Sequence, residues 1–196
     1  MASTYTPLGV ELMATGENAG TWGTKTNTNL NIIEQISGGY KVQTLNTAGA
    51  GANTTALTEA DGATGATVAT RIIVLGAESP QTISGNKIVT FPVGVENFYL
   101  IKNSTSGANT VQLKAASGSG ATVTWSAIQK SWKLVYFDGV ATNTGVYEIE
   151  LASPPGGSDK QVQFNDNGSF GGISMGTNGQ VLTTNGTTAS FGDLAG

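Results

Sequence analysis

The sequence predicts a mainly β protein: one short N-terminal helix, a small β-sandwich or barrel domain, then a repetitive β-rich tail. Three observations point there. Charged residues make up only 11% of the 196, against about 25% in ordinary globular domains. The 28 glycines roughly double the usual share of about 7%, and Thr, Asn and Ser supply much of the remaining polarity. Thr suits a pleated surface, while Gly, Asn and Ser suit the turns between strands. Finally, short apolar stretches separated by turn signals recur through the middle of the chain, and one polar motif occurs twice near its end.

The first zone, residues 1–40, holds a Gly- and Thr-rich loop at 15–23 and then the one good helix candidate, which we place at residues 27–37. Thr26 or Thr28 can cap its free amides. Leu30, Ile33 and Ile36 recur at helical spacing with Ile32 flanking them, and Gly38-Gly39 can end the helix through a left-handed turn. The second zone, residues 41–152, reads as a β-sandwich-like domain. Residues 47–64 are small and polar, so they read as loop or edge. Apolar stretches follow at 71–75, 87–91, 97–101, 110–114, 121–125, 131–137 and 145–151. The last two read as a hairpin joined through Asp138-Gly139 and Asn143-Thr144-Gly145. Residues 153–158, rich in Pro, Gly and Ser, read as a linker.

The tail, residues 159–196, carries the repeat. Gly-x-x-x-Gln-Val, then Asn-Gly, then Ser-Phe-Gly appears from Gly157 and again from Gly176, a step of about 19 residues. So small a unit cannot bury a core alone. Val162, Phe164 and Phe170, like Val181, Leu182 and Phe191, need a neighbouring surface, most economically another copy of the same chain. No capping unit precedes Gly196, so a truncated fibre, or a shaft continued by a partner, is expected.

Several function classes are disfavoured. A net charge of −4 with nine scattered Lys and Arg gives no basic stripe for nucleic acid. The absence of Cys and His removes disulfides, thiol nucleophiles, the usual general base and the commonest metal ligands. No apolar run is long enough to span a bilayer, and no signal peptide is visible, so synthesis in a cytoplasm is expected.

The acids Glu11, Glu17, Asp138, Glu148 and Glu150 are the available catalytic groups. Glu148 and Glu150 share a face of the last predicted strand at a spacing glycosidases use, but a solvated strand face, with Ile149 and Leu151 inward, is the simpler reading. Asp159, Asn165 and Asp166 are oxygen ligands in Gly-rich loops, without the spacing of a calcium loop. The 15–23 loop lacks the ending of a phosphate loop; Trp22 suits either a docking plug or a cover for its own helix. Trp125, Trp132, Tyr99 and Tyr136 read as sandwich core or as a platform for sugars. No cofactor and no metal are expected.

The segment Thr-Gly-Glu-Asn-Ala-Gly-Thr-Trp-Gly-Thr-Lys-Thr-Asn-Thr-Asn-Leu at residues 15–30 resembles the opening of tail-fibre and related structural proteins of tailed bacteriophages. Gly-Gly-Ser-Asp-Lys-Gln-Val-Gln-Phe-Asn-Asp at 156–166 and Gly-Gln-Val-Leu-Thr-Thr-Asn-Gly at 179–186 are similar to repeats of phage fibre shafts. Residues 85–139 look like the β-domain such proteins carry. The resemblance implies a homotrimeric virion structural protein without enzymatic activity. It implies that the first segment, through Gly16, Glu17, Gly20, Trp22, Asn27, Asn29 and Leu30, docks on a tail adaptor, nozzle or capsid protein. A distal part would then reach a host surface glycan. The alternative expectation is a carbohydrate-binding module on the β-domain.

Overall fold

In the computed structural model, which describes residues 2–46, 53–151, 156–166 and 169–193, the chain divides into two compact units, Met1–Ile149 and Glu150–Gly196. Residues 1–40, expected to stand apart, fold as part of the first. The chain opens with the short pair β1 (Thr4–Tyr5) and β2 (Glu11–Leu12), followed by helix α1 (Trp22–Gly38).

Nine further strands build two sheets, and the path between them is regular. β3 (Tyr40–Gln43), β5 (Ile72–Thr82) and β7 (Glu96–Ser106) lie parallel in one sheet. β4 (Thr54–Ala56), β6 (Lys87–Phe91) and β8 (Val111–Ala115) lie parallel in the other. The chain therefore makes three successive coils, each leaving one strand in each sheet. Parallel neighbours cannot be joined by a tight turn; here the return path is a strand of the opposite sheet. β9 (Val123–Trp125) then pairs antiparallel with β8, and β10 (Trp132–Asp138) with β7. β11 (Val146–Glu148) pairs antiparallel with β10. The sheet orders are β11-β10-β7-β5-β3 and β4-β6-β8-β9. The hairpin expected from residues 131–151 is present as β10–β11. Residues 47–52 lie outside the described residues, and β4 is the edge strand expected nearby.

Both sheets feed one core. Ile73, Leu75, Tyr99, Ile101, Val135 and Phe137 come from the five-stranded sheet, and Val89, Phe91, Val111, Leu113 and Trp125 from the four-stranded one. Its centre is aromatic. Phe91 and Phe137 lie 4.0 Å apart between ring centroids, and Tyr99 meets them at 5.2 and 5.5 Å. Such rings carry burial and specific packing together. Both buried polar tips are satisfied: Tyr99 donates to the Val68 carbonyl at 2.8 Å and Trp125 Nε1 to the Ser131 carbonyl at 3.0 Å. Trp125 and Tyr99 are therefore core, and their share in a sugar platform is excluded.

Burial pushes the Tyr99 hydroxyl up to about 12, from 10.0. Below pH 10 both folded and unfolded chains keep the proton, so the shift has no effect. Between pH 10 and 12 the unfolded chain ionises first, and the fold loses roughly 2–3 kcal/mol. Tyr99→Phe removes that loss while forfeiting the Val68 hydrogen bond, about 1 kcal/mol. Urea unfolding between pH 8 and 12 is expected to show the variant weaker at pH 8 and level with or above wild type near pH 12. A constant gap across that range contradicts the assignment.

Helix α1 departs from expectation in four ways. It begins at Trp22, five residues early, because the Asn18 carbonyl accepts the Thr21 and Trp22 amides, both at 2.9 Å. Thr28 lies inside the helix, bonding back to the Thr24 carbonyl, and Thr26 is also interior, so neither caps it. Its end is not left-handed: Gly39 is extended (φ −66°, ψ 149°). Glycine is needed there for space, since a Cβ would meet the Gln35 carbonyl oxygen at 2.5 Å. The buried face also differs. Ile32 is fully enclosed and Ile36 packs on the core, whereas Leu30 and Ile33 are exposed. Gln35 fixes this rotation by donating to the Ala66 and Ala69 carbonyls and accepting from the Gly65 amide. No helix among the described residues is long and apolar enough to cross a membrane.

The second unit consists of two antiparallel hairpins, β12 (Val162–Asp166) with β13 (Ser169–Ile173), and β14 (Val181–Thr184) with β15 (Ala189–Gly192). They correspond to the two copies of the sequence motif. Of the predicted linker, residues 153–155 lie outside the described residues.

Candidate interaction site

The N-terminal loop expected to dock is built from left-handed residues: Gly16 (φ 82°), Asn18 (62°) and Gly20 (81°). It is tied down by one acid. Glu11 is buried on β2, and its Oε2 meets the Lys25 ammonium at 3.0 Å, while Oε1 accepts from Asn18 Nδ2. The Lys25 ammonium holds the Glu11 carboxyl below its ordinary value, and Glu11 in turn raises Lys25. Asn29 clamps the same strand, accepting from the Glu11 amide and donating to its carbonyl. Asn29 is thus turned inward and holds helix to hairpin. Glu17 accepts from the Ser3 hydroxyl. What remains presented is an apolar stripe one face wide: Trp22 (66% exposed), Leu30 (58%) and Ile33 (48%), at positions that fall within about 80° of one another on a 3.6-residue helix. Asn27 is exposed as well. Trp22 does not cover its own helix.

In the second unit both motif copies share one bracket. The Gln161 side-chain oxygen accepts the Ser158 amide at 2.9 Å, and Gln180 accepts the Thr177 amide at the same distance. The repeated Gln therefore closes the turn that launches each hairpin, a role the sequence reading did not assign. Beyond it the apolar residues divide between faces. Phe164 pairs with Gly171 and Phe170 with Asn165, so alternation puts the two rings on opposite faces. Leu182 pairs with Phe191, which places that pair on one face and Val181 on the other. Val162, Phe164, Phe170 and Leu182 are all exposed, and Val181 and Phe191 are half-buried. Between the hairpins runs a cleft of about 880 Å³ lined by Phe164, Ile173, Met175 and Phe191 among small polar residues.

The remaining candidates dissolve into structure. β11 ends at Glu148, so Glu150 does not share its strand; Ile149 and Leu151, expected inward, are exposed. Glu148 instead forms an ion pair with Lys133, a lysine that is nearly buried and stands 5.7 Å above the Trp125 ring. The Asp138 carboxyl lies below its ordinary value because it accepts the Val140 and Gly145 amides, which pins the β10–β11 turn. Among the described residues no group of three or more His, Cys, Asp or Glu could hold a metal ion. Trp132 is 46% exposed and Tyr136 half-buried, both on the outward face of β10. No protein-family model, curated protein or solved structure matches this chain.

Proposed function

We propose that this chain is a structural subunit of a phage-type particle, a fibre protein that assembles as a homotrimer and works mechanically rather than by catalysis. The second unit carries the reading. Two-stranded hairpins are marginal by themselves in water, and the first of the two here exposes apolar rings on both faces while the second exposes Leu182. No single neighbour on one side can cover both Phe164 and Phe170; copies of the same chain, stacked repeat on repeat, can. Low charge makes that contact nearly indifferent to salt.

The Trp22–Leu30–Ile33 stripe fits the anchoring end. It is a rigid helical ridge with one large ring at its tip, the kind of side chain that dominates protein contacts. It would dock on a tail or head protein of the particle and leave the hairpins to project. Sedimentation of the purified chain is the first test: a trimer at micromolar concentration is expected, and a stable monomer ends the proposal. Particles carrying Trp22→Ala are expected to lose the appendage; fibres retained at wild-type occupancy remove the anchoring part.

A further inference from the structure

We infer that the outward face of the five-stranded sheet is a second contact surface between copies of this chain. The inference rests on the homo-oligomeric reading above and deepens it. Alternation places Tyr99, Ile101, Val135 and Phe137 in the core, so Phe98, Leu100, Trp132 and Leu134 point away from it. The register aligns them across the sheet. Leu100 stands between Ile72 and Leu134, and Phe98 beside Tyr136, which neighbours Tyr147. Tyr40 continues the face on the edge strand β3, beside Ile72.

Four of these rings stay about half open: Tyr40 at 51%, Phe98 and Tyr147 at 47%, and Trp132 at 46%. At about 150–250 Å² per aromatic side chain, they leave roughly 400 Å² of ring uncovered. That alone lies within the range of about 300–600 Å² for the largest patch of a typical monomer. It is also half of the roughly 800 Å² per partner that a standard interface buries, before the aliphatic residues between the rings are counted. The four charged groups bordering the face are engaged within the copy. Arg71 lies over the Phe98 ring at 3.7 Å and Lys102 over Trp132 at 5.9 Å. Glu96 and Asp138 sit at one end beside the Tyr136 and Tyr147 hydroxyls.

The chain itself argues that the occupant is another copy. Only residues 149–161 separate β11 from β12, a tether of at most about 45 Å at 3.3–3.6 Å per residue. Copies joined through their hairpins thus hold their sheet faces near one another at millimolar effective concentration, where a weak apolar contact suffices. The Tyr136 and Tyr147 hydroxyls at one end of the face already donate to Glu96 and Asp138, while its middle is Ile72, Leu100 and Leu134, which suits an apolar neighbour better than a sugar.

The absence of cysteine permits a direct test on the full chain. Phe98→Cys and Tyr147→Cys place single thiols on the face, and Ile128→Cys, at a site 87% exposed, serves as the open reference. In the assembled protein the face thiols are expected to react with a maleimide at least about tenfold slower than the reference, as for a surface closed more than nine-tenths of the time. Adding Phe164→Ser and Phe170→Ser, expected to disperse the copies, is expected to bring the rates together. An oligomer whose face thiols react as fast as the reference overturns the inference and leaves the oligomeric reading standing. Protection that persists in dispersed chains overturns it too, since the cover then belongs to the same copy. So does protection that appears only when soluble oligosaccharide is added. A wild-type monomer removes both readings together.

Discussion

Replacing Phe164 and Phe170 together by serine is expected to reduce the assembled protein to monomers while the first unit keeps its fold. Both rings are exposed within one copy, at 43% and 56%, and stand on opposite faces of one hairpin. Covering a Phe side chain yields about 1.5–3 kcal/mol. About half of each ring is already covered within one copy, so losing two per copy costs about 1.5–3 kcal/mol of association, roughly 10- to 150-fold in affinity. Sedimentation velocity reads the loss. Near-ultraviolet circular dichroism, dominated by the Phe91–Tyr99–Phe137 cluster and Trp125, is expected to stay unchanged. Wild-type sedimentation by the double variant would place the assembly contact elsewhere.

The largest effect on folding is expected at Phe137. Its ring packs against Phe91 and Tyr99 and is fully enclosed. Phe137→Ala leaves a cavity where the two sheets meet and is expected to cost about 3–5 kcal/mol. A domain of this size has about 5–15 kcal/mol in total, so the urea midpoint of the first unit falls by about a fifth or more. A loss below about 1 kcal/mol would mean that the cavity collapses and the aromatic cluster is not what joins the sheets.

Much of this architecture was legible beforehand because local chemistry dictates it. The alternation of residues 110–114 and 121–125 marked strands with one buried side, and both are present as β8 and β9. Asp138-Gly139 and Gly145 announced the hairpin they close. The doubled motif announced two similar β-rich units; that each is a hairpin came only from the structure. Trp22 suits a plug and a cover alike by sequence. The rotation of α1, set by Gln35, Asn29 and Lys25 through hydrogen bonds and an ion pair, is what leaves it exposed. Polar anchors of this kind carry no apolar period, so the buried stripe could not be read from spacing.

Although β1, β2 and β3 carried no mark in it, the sequence by itself determined the seven strands from β5 to β11, where most of them turn, and that the tail holds apolar groups a unit so small cannot bury alone. These follow from side-chain alternation, turn chemistry and the size of the repeat unit. Only the tertiary structure decided which strands are neighbours and which side of each faces the core. Runs such as 97–101 and 131–137 are apolar at nearly every position, so a period of two has no phase in them. Pairing with β5 on one side and β10 on the other turns Tyr99 inward and Phe98 outward, and it is this choice, made by distant residues, that creates the open aromatic face.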